Sequence, residues 1–513
     1  MNAQPKERLR WSELPAVALL VVVALWIRFP GLSTHNLYRD DAWPALAIKT
    51  GLGQTVRMGV TTPGFEVFLR TWLGVSRSTP WAQAPALVAS LAAVAAVYAL
   101  ARWLGCGRAA ALLAAGILTL SPINVLYATR VKPYSLDALG TIALLAMAVA
   151  VSRQPASVKR WAGLLALSVA TAVFSASTLP VSVSAVAWSA VVAIRQGDRR
   201  ARRLSLGVPS AYLAFLAVYA SVVLGSVPPS LREAWTENYI YASSAGQLVR
   251  TTATVTDTFV AGIFYRTWPT GAVMLAVLVL MALWHRPRIA VLVVAPVVVA
   301  LGLALLQRAP FGGGRIDIYL YPCVALLTAM AAQKVLDLGA DRIVPARVAE
   351  VALVVAVAVL AATNGREHMR GNPYPAADMG PLTAAVRARM LPGDAMVVGA
   401  FSRYPFALYA ARRPEVVLSP LYAPGFTVRS GEPDVYNMPA EFFEDGYDPD
   451  EVVRFAEGRS RVWYLATDTP PSDTPPAVQA FEYEPEQRLI DAGFRATERI
   501  DAYGVHADLL VRP

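Results

Sequence analysis

The chain has 513 residues, of which 56% are hydrophobic and 16% are charged, and its formal net charge is +10. Soluble domains contain roughly 45–50% apolar and about 25% charged residues, so this composition excludes an ordinary soluble protein and indicates a membrane protein. The basic excess does not indicate nucleic-acid binding, because the basic residues form short clusters between apolar runs. Cys106 and Cys323 lie in or beside apolar runs and predict no disulfide framework.

The chain begins with a basic tail and an apolar run from Leu14 to Pro30, which we interpret as an uncleaved first membrane span. A spanning helix needs about 20 mostly apolar residues. About eleven segments meet this requirement approximately, and the fifth and sixth of them could also form one bent segment. The candidates are 14–30, 82–101, 109–126, 134–151, 161–178, 180–194, 205–224, 270–284, 289–306, 318–335 and 347–363.

The loops between these candidates predict the topology. Alternate loops are basic, as expected on the cytoplasmic side. The basic run Arg195–Arg203 is interpreted as a topology signal rather than a lipid-specific site. We therefore predict a cytoplasmic N-terminus and, with an odd number of spans, a C-terminal domain outside. The loops assigned to the cytoplasm are 1–10, 102–108, 153–160, 195–203, 285–288 and 334–347.

The first outside loop contains two adjacent carboxylates, Asp40 and Asp41, just after the first span. Carboxylates at a membrane surface are costly unless they are solvated, paired or used in function. One of them is a candidate general base towards a hydroxyl nucleophile, and its neighbour would orient it or hold a metal. The alternative is an N-terminal cap for a short interfacial helix at Asp41–Thr50.

Two further clusters fall on the same predicted face. Arg130 and Lys132, between the third and fourth spans, are suited to a lipid phosphate, although interfacial snorkelling is the alternative. The segment Pro310–Pro322 contains three consecutive glycines followed by Arg315. Glycines allow a backbone to approach a ligand closely, or they form a flexible hairpin. Aromatic residues in loop 225–269 suit either sugar stacking or an interfacial belt.

The last 150 residues have a different composition. Residues 364–513 contain 22 acidic and 15 basic residues, a net charge of −7, so the remainder carries +17. Strand-like runs alternate with helical stretches at Leu382–Met390 and Asp450–Glu457, which predicts a small α/β domain. We therefore predict a transmembrane module at 1–363 and a soluble domain at 364–513. The strand-like runs are Ala395–Gly399, Val416–Leu418, Val462–Ala466 and Ala507–Val511.

Three segments resemble motifs of the GT-C superfamily of membrane glycosyltransferases, and most closely its family 39 branch of protein O-mannosyltransferases and aminoarabinose transferases. Asp40-Asp41-Ala42-Trp43 is similar to an Asp-Glu pair that is often followed by Ala-Trp. The segment Tyr127–Leu136 resembles Tyr-x-x-Glu-x-Arg-Pro-Tyr-Ser-Leu, and Pro310–Arg315 resembles Pro-Phe-Gly-x-Gly-Arg. An outside domain after the last helix is also common in that family.

The sequence departs from the family pattern at several positions. Asp41 replaces Glu, Arg130 stands where an acid is common, and Lys132 stands where Arg is common. The family's His/Lys-Pro-Pro-Leu segment, often preceded by an acid, reads Thr61–Phe65 here, and Glu66 would replace that acid only after a rearrangement of the loop. No cofactor is certain, and a divalent metal is left open.

The resemblance implies transfer of a sugar, with inversion, from a polyprenyl-phosphate carrier to a hydroxyl of a cell-envelope glycan, lipid or protein. Asp40 would deprotonate the acceptor and Asp41 would support it. A second set would bind the donor phosphate, and a third would contact the acceptor or sugar. These sets are Arg130, Lys132, Tyr134 and Arg315 for the phosphate, and Arg39, Trp43, Thr62, Glu66, Tyr127 and Tyr319 for the acceptor or sugar.

Other functions stay open at this stage. A lipid-linked oligosaccharide ligase or polymerase would differ in its donor. A transporter of lipid-linked sugars would favour charges in mid-membrane and inverted repeats, whereas a glycan-binding scaffold would have no activity. The Ala-, Val- and Arg-rich composition is typical of a high-GC genome, for which an arabinofuranosyl or mannosyl donor is our expectation. The bilayer would be the cytoplasmic membrane.

Overall fold

The computed structural model describes residues 13–59, 61–196, 198–223, 235–264, 271–340, 376–418, 426–437, 448, 450–468 and 476–513. Helices predominate in these ranges, and short 3-10 helices extend or connect several of them. The α-helices are α1 (Leu14–Arg28), α2 (Arg39–Ala45), α3 (Gln54–Arg57), α4 (Pro63–Val75), α5 (Thr79–Trp103), α6 (Arg108–Leu120), α7 (Pro122–Leu126), α8 (Tyr134–Arg153), α9 (Val158–Phe174), α10 (Leu179–Arg195), α11 (Arg199–Val222), α12 (Ala245–Phe264), α13 (Gly271–His285), α14 (Pro287–Leu305), α15 (Tyr321–Ala340), α16 (Met379–Arg387), α17 (Arg403–Tyr409), α18 (Glu451–Phe455) and α19 (Pro476–Asp491).

The chain is a multi-pass membrane protein. Within the described residues, seven helical segments are long and apolar enough to cross a membrane, and α6 with α7 forms an eighth if this bent pair is one span. Helices α9 and α13 have 17 and 15 residues, and at a rise of about 1.5 Å per residue they are shorter than the ~30 Å apolar core of a bilayer. The predicted polytopic helical fold is confirmed. The predicted count of about eleven exceeds the spans found, and candidate 347–363 lies outside the described residues.

The described residues form two compact units. The first comprises those of 1–31, 83–221 and 235–372, and the second comprises those of 32–82, 222–234 and 373–513. The predicted boundary between the membrane module and the soluble domain, at residue 363, lies outside the described residues and stays a prediction. The described residues of the first outside loop pack with those of the C-terminal segment.

The first unit is a helical bundle whose core contains a broken helix. Helix α6 and the short helix α7 meet at a bend of 58°. Pro122 has no N–H group, so the Leu118 carbonyl loses its helical hydrogen bond. Two side chains replace it, because Arg28 Nη2 donates to Leu118 O at 2.9 Å and Asn124 Nδ2 donates at 3.1 Å. The break therefore redirects the chain without leaving this carbonyl unsatisfied.

The second unit contains the predicted α/β domain. Its five-stranded sheet has the order β4-β1-β5-β7-β6, and β2 and β3 form a separate antiparallel pair. Strand β1 is parallel to β4 and β5, whereas β7 is antiparallel to β5 and β6. The sequence predicted β1, β2, β5 and β7 and missed the other three. The strands are β1 (Ala395–Val398), β2 (Glu415–Leu418), β3 (Phe426–Arg429), β4 (Val435–Asn437), β5 (Arg461–Thr467), β6 (Arg495–Ala502) and β7 (Val505–Val511).

Two predicted loops contain helices. The first outside loop holds α2, α3 and α4, and loop 225–269 holds α12. Helix α12 buries Val255 and Phe259 but also contains five threonines. Because of this mixed composition, its sequence did not predict a helix.

Replacement of Arg28 should destabilise the first unit. Its side chain is 1% exposed and also donates to Thr119 O at 3.0 Å and Ser90 Oγ at 2.9 Å. Each buried carbonyl left without a donor costs about 1–3 kcal/mol, so we expect Arg28→Met to lower the melting temperature in detergent clearly. Arg199→Met, at the exposed start of α11, should leave it unchanged. Equal melting temperatures for both variants would contradict this role for Arg28.

Candidate active site

The carboxylate pair lies in the first turn of α2. The Tyr38 carbonyl accepts hydrogen bonds from Asp41 N at 3.0 Å and Ala42 N at 2.8 Å, which starts the helix. Carboxylates near a helix N-terminus are stabilised by the helix dipole. Asp41 is fully buried, whereas the Asp40 side chain is 23% exposed. Asp40 therefore has the exposure that contact with a substrate requires, and Asp41 has the position of a supporting group.

Two predicted sugar contacts on α2 pack against the C-terminal domain. The Trp43 ring stacks on the Tyr404 ring with a centroid distance of 5.1 Å. The Arg39 guanidinium lies 4.3 Å from the centre of the Phe401 ring. These contacts position α2 within the second unit. They favour a structural contribution from Arg39 and Trp43, whose contact with a sugar stays a prediction.

The chain before α2 is bound to the same domain. The Asp378 carboxylate lies 2.7 Å from His35 Nδ1 and accepts the Asn36 N–H at 2.8 Å. The Leu37 N–H donates to the Tyr409 hydroxyl at 3.0 Å. Burial raises the pKa of the Tyr409 hydroxyl above its ordinary value. The C-terminal domain thus holds the segment that presents Asp40.

Glu66 has a different environment from the one predicted. It is 1% exposed. Its Oε1 accepts hydrogen bonds from Gly53 N at 2.7 Å and Arg70 Nη2 at 2.8 Å, and its Oε2 accepts one from Thr55 Oγ1 at 2.6 Å. These bonds join the α3 region to α4, whose N-cap is Thr62. The geometry favours a structural role for Glu66 over substitution for the family's missing acid.

The predicted phosphate-binding residues belong to the first unit. The chain leaves α7 through a 3-10 turn at Tyr127–Thr129 and enters α8 at Tyr134. The Tyr127 and Tyr134 rings meet edge to face at 5.2 Å, and the Arg130 guanidinium lies 5.5 Å from the Tyr127 ring centre. Arg130 is 6% exposed, whereas Lys132 is partly exposed. Lys132 is therefore the more accessible of the two cations.

The glycine run packs against the protein itself. Gly312 has a φ of +82°, and a Cβ there would lie 2.3 Å from Val255 O. A Cβ on Gly313 would lie 2.7 Å from the Trp235 ring. The Arg315 guanidinium lies 5.4 Å from the centre of that same ring. The close approach that these glycines allow is therefore an approach to other segments of the protein. The same packing brings the Arg315 guanidinium near the Trp235 ring.

The helices that flank the second cluster pack against the element that carries the third. The 3-10 helix Gly314–Leu320, which carries Arg315 and Tyr319, packs against both α7 and α8. The sequence analysis placed these clusters on one membrane face from loop charges alone. Within the first unit, the structure brings their supporting elements into direct contact.

Two buried carboxylates beside these clusters were missed as site residues. Asp137 is 2% exposed and accepts a hydrogen bond from Ser175 Oγ at 2.8 Å. Asp317 is 1% exposed and accepts one from Gly312 N at 2.9 Å. The available signal was their position at the starts of predicted spans, where acidic residues are rare and are functional-site candidates.

Metal binding has no further support from the geometry. Over the described ranges, no three or more His, Cys, Asp or Glu side chains group in a way that suits a metal ion.

Solved structures match nearly the whole chain. ArnT from Cupriavidus metallidurans in its apo state covers 97% of this chain and 98% of its own, at 14% identity and a TM-score of 0.54. Its form bound to undecaprenyl phosphate covers 96% and 98%, at 13% identity and a TM-score of 0.52. This chain has the GT-C fold. These matches confirm the predicted resemblance to the GT-C superfamily at the level of the fold. At 13–14% identity they show the fold alone.

A third GT-C structure matches more weakly. The arabinofuranosyltransferase AftD from Mycobacteria covers 99% of this chain but 40% of its own length, at 16% identity and a TM-score of 0.45. No protein-family model and no curated protein sequence matches the chain.

Glu66→Gln should separate the structural role of Glu66 from a substrate contact. The amide has one acceptor oxygen and leaves Arg70 without its ion pair, so we expect a loss of about 2–3 kcal/mol in unfolding free energy. Glu498→Gln is the control, because its ion pair with Arg389 is exposed at the surface and such pairs contribute little. Unchanged melting in detergent together with lost transferase activity would instead favour a sugar contact.

Gly312→Ala should also be destabilising. The added Cβ would meet the Val255 backbone in a conformation that favours glycine, and we expect a cost on the order of 1–3 kcal/mol. Gly302→Ala in α14 is the matched control, because a Cβ there meets nothing within 4 Å. In thermal unfolding, the Gly312→Ala variant should have a clearly lower melting temperature than the Gly302→Ala variant. Equal stabilities would contradict the tight packing described for this segment.

Proposed function

We propose that the protein is an inverting glycosyltransferase that transfers a sugar from a polyprenyl-phosphate carrier to an acceptor hydroxyl. The observation that carries this proposal is the packing of the Gly314–Leu320 helix, which bears Arg315, against α7 and α8, the two helices that flank the cation-bearing segment Tyr127–Tyr134. Both cation-bearing elements lie at the ends of membrane spans in a chain with the fold of ArnT, whose solved form contains undecaprenyl phosphate. A lipid phosphate is the ligand that suits such a position.

Fixed positive charge has a clear task in this reaction. Negative charge develops on the phosphate as it leaves the sugar, and preorganised cations stabilise it most where water is scarce. Lys132 and Arg315 are partly exposed and would contact the phosphate. Arg130 is almost buried against Tyr127 and would act mainly through its charge. Tyr134 would donate a hydrogen bond.

The acidic segment would supply the base. Asp40 would accept the proton of the acceptor hydroxyl as its oxygen attacks the anomeric carbon. The new glycosidic bond forms while the bond to the phosphate oxygen breaks, so the products are the glycosylated acceptor and the polyprenyl phosphate. Buried Asp41 would fix the orientation of α2 and the local charge. This reaction requires Asp40 to reach the sugar while the cations hold the phosphate.

The topology fits an outer-face reaction at the cytoplasmic membrane. The basic loops predict that both cation-bearing segments and α2 lie outside. The acceptor would then be a cell-envelope glycan, lipid or protein hydroxyl. The Asp40 segment is bound to the C-terminal domain through His35, Asn36 and Leu37, so this domain would also set the position of the base.

The test is transfer of label by the purified full chain in detergent. The donors are radiolabelled polyprenyl-phosphate sugars, including arabinofuranosyl and mannosyl forms, and the acceptor is a cell-envelope glycan extract. Loss of the general base in Asp40→Asn should reduce kcat at least about 100-fold. Removal of the phosphate cation in Lys132→Ala or Arg315→Ala should reduce kcat by roughly 100-fold or more.

Two exposed residues provide matched controls. Asp491→Asn at the end of α19 and Lys159→Ala at the start of α9 remove the same charges at other positions and should retain wild-type transfer. Equal activity of Asp40→Asn and Asp491→Asn would contradict the assigned base. No transfer from any monosaccharide donor, with tight binding of a lipid-linked oligosaccharide, would overturn the proposal in favour of a ligase.

A further inference from the structure

A cavity of about 620 Å³ in the first unit is not used by the proposed reaction. It lies where α13 ends and α14 begins, beside the second half of α15. Three permanently cationic side chains line it, those of Arg286, Arg288 and Lys334. In the predicted topology these residues belong to cytoplasmic loops, on the opposite face from α2.

Among the described residues that line this cavity, basic side chains outnumber acidic ones. Asp337 is the one acid in that described lining. Its carboxylate already accepts a hydrogen bond from Gln333 Nε2 at 2.7 Å and lies 3.4 Å from His285 Nδ1. The net positive charge around the cavity therefore favours an anionic ligand.

Two of the three cations, Arg286 and Lys334, are held in position. The Arg286 guanidinium donates to the carbonyls of Leu104 and Gly105, and a Cβ on Gly105 would lie 2.6 Å from it. Lys334 Nζ lies 4.5 Å from the centre of the Trp284 ring. A cation placed by such contacts loses less conformational freedom when it binds a ligand than a free side chain does.

The surroundings favour an anion that comes from the bilayer. Trp284 is 62% exposed, and Val291 and Val298 on the span α14 are 49% and 59% exposed, so apolar surface adjoins the cationic cavity. Tryptophan is typical of membrane interfaces, where headgroup phosphates lie. Basic residues in a loop are sufficient for a topology signal, wherever their side chains point. Oriented cations in a cavity beside apolar surface therefore indicate an additional role.

We infer that this cavity, here called the α14 cavity, binds the phosphate headgroup of an anionic phospholipid. Arg288 and Lys334 would contact the phosphate, Arg286 would add charge from its fixed position, and the acyl chains would lie along α14. The inference does not depend on the proposed transferase reaction, because none of these residues belongs to the candidate active site.

The experiment compares lipid binding to the delipidated full chain by native mass spectrometry. The probes are phosphatidylglycerol and phosphatidylcholine with identical acyl chains, and glycerophosphoglycerol, which is the phosphodiester headgroup of phosphatidylglycerol without acyl chains. The Arg288→Gln/Lys334→Gln double variant should bind phosphatidylglycerol at least about tenfold more weakly than wild type, because charge-assisted hydrogen bonds are lost. Arg286 is left intact because it supports the Leu104 and Gly105 carbonyls.

A second double variant is the matched control. Arg199→Gln/Arg200→Gln removes two charges from the exposed start of α11 and should bind phosphatidylglycerol as wild type does. Both variants should melt at the wild-type temperature. Equal weakening in the two double variants would overturn the site and indicate general surface attraction, and equal binding of phosphatidylcholine would overturn the preference for an anion.

Two outcomes would identify a different ligand. Glycerophosphoglycerol that binds as tightly as the lipid would mean a site for soluble phosphodiesters and overturn the lipid inference. Poly-glutamate that binds in place of phosphatidylglycerol, and is lost in Arg288→Gln/Lys334→Gln, would mean a docking site for an acidic protein. Transferase activity that disappears while phosphatidylglycerol binding persists would count against the catalytic proposal alone.

Discussion

A backbone carbonyl inside an apolar bundle has no water to bind, so any break in a membrane helix requires a donor from elsewhere in the protein. The Leu118 carbonyl is such a case, because Pro122 cannot donate to it and Arg28 and Asn124 do. With this carbonyl satisfied, the chain turns through α7 into the segment that carries Arg130 and Lys132. Arg28, the buried arginine at the end of α1, thus supports the position of the candidate phosphate site.

The second unit restrains the segment that carries the two carboxylates. A general base must be exposed enough to meet its substrate yet rigid enough to keep its geometry. The contacts of His35, Asn36 and Leu37 with the C-terminal domain, and the stack of Trp43 on Tyr404, restrain the chain around α2. Asp41 is consequently buried while Asp40 stays partly exposed. This arrangement gives the C-terminal domain a structural role, which is to position the chain around α2.

The sequence predicted the helical membrane module well because a 20-residue apolar run has few alternatives to a helix in lipid. The bend after Leu120 was missed because apolar residues continue to Leu126, although Pro122 was the available signal. Strand β6 was missed because Arg495–Ala502 is a mostly exposed, charged edge strand. The charges of the loops predicted that the two cationic clusters lie on one face of the membrane. The structural role of Glu66 could not be predicted, because its hydrogen bonds join residues up to 13 positions apart and leave no periodic pattern in the sequence.

The most direct test of the account is the position of a bound lipid phosphate. We would determine the cryo-EM structure of the full chain in a nanodisc with a polyprenyl phosphate. The account predicts phosphate density within hydrogen-bond distance of Lys132 and Arg315, with the prenyl chain against the bundle and Asp40 facing the phosphate. Density at the α14 cavity alone, or anywhere else that leaves Lys132 and Arg315 without contact, would contradict the assigned donor site.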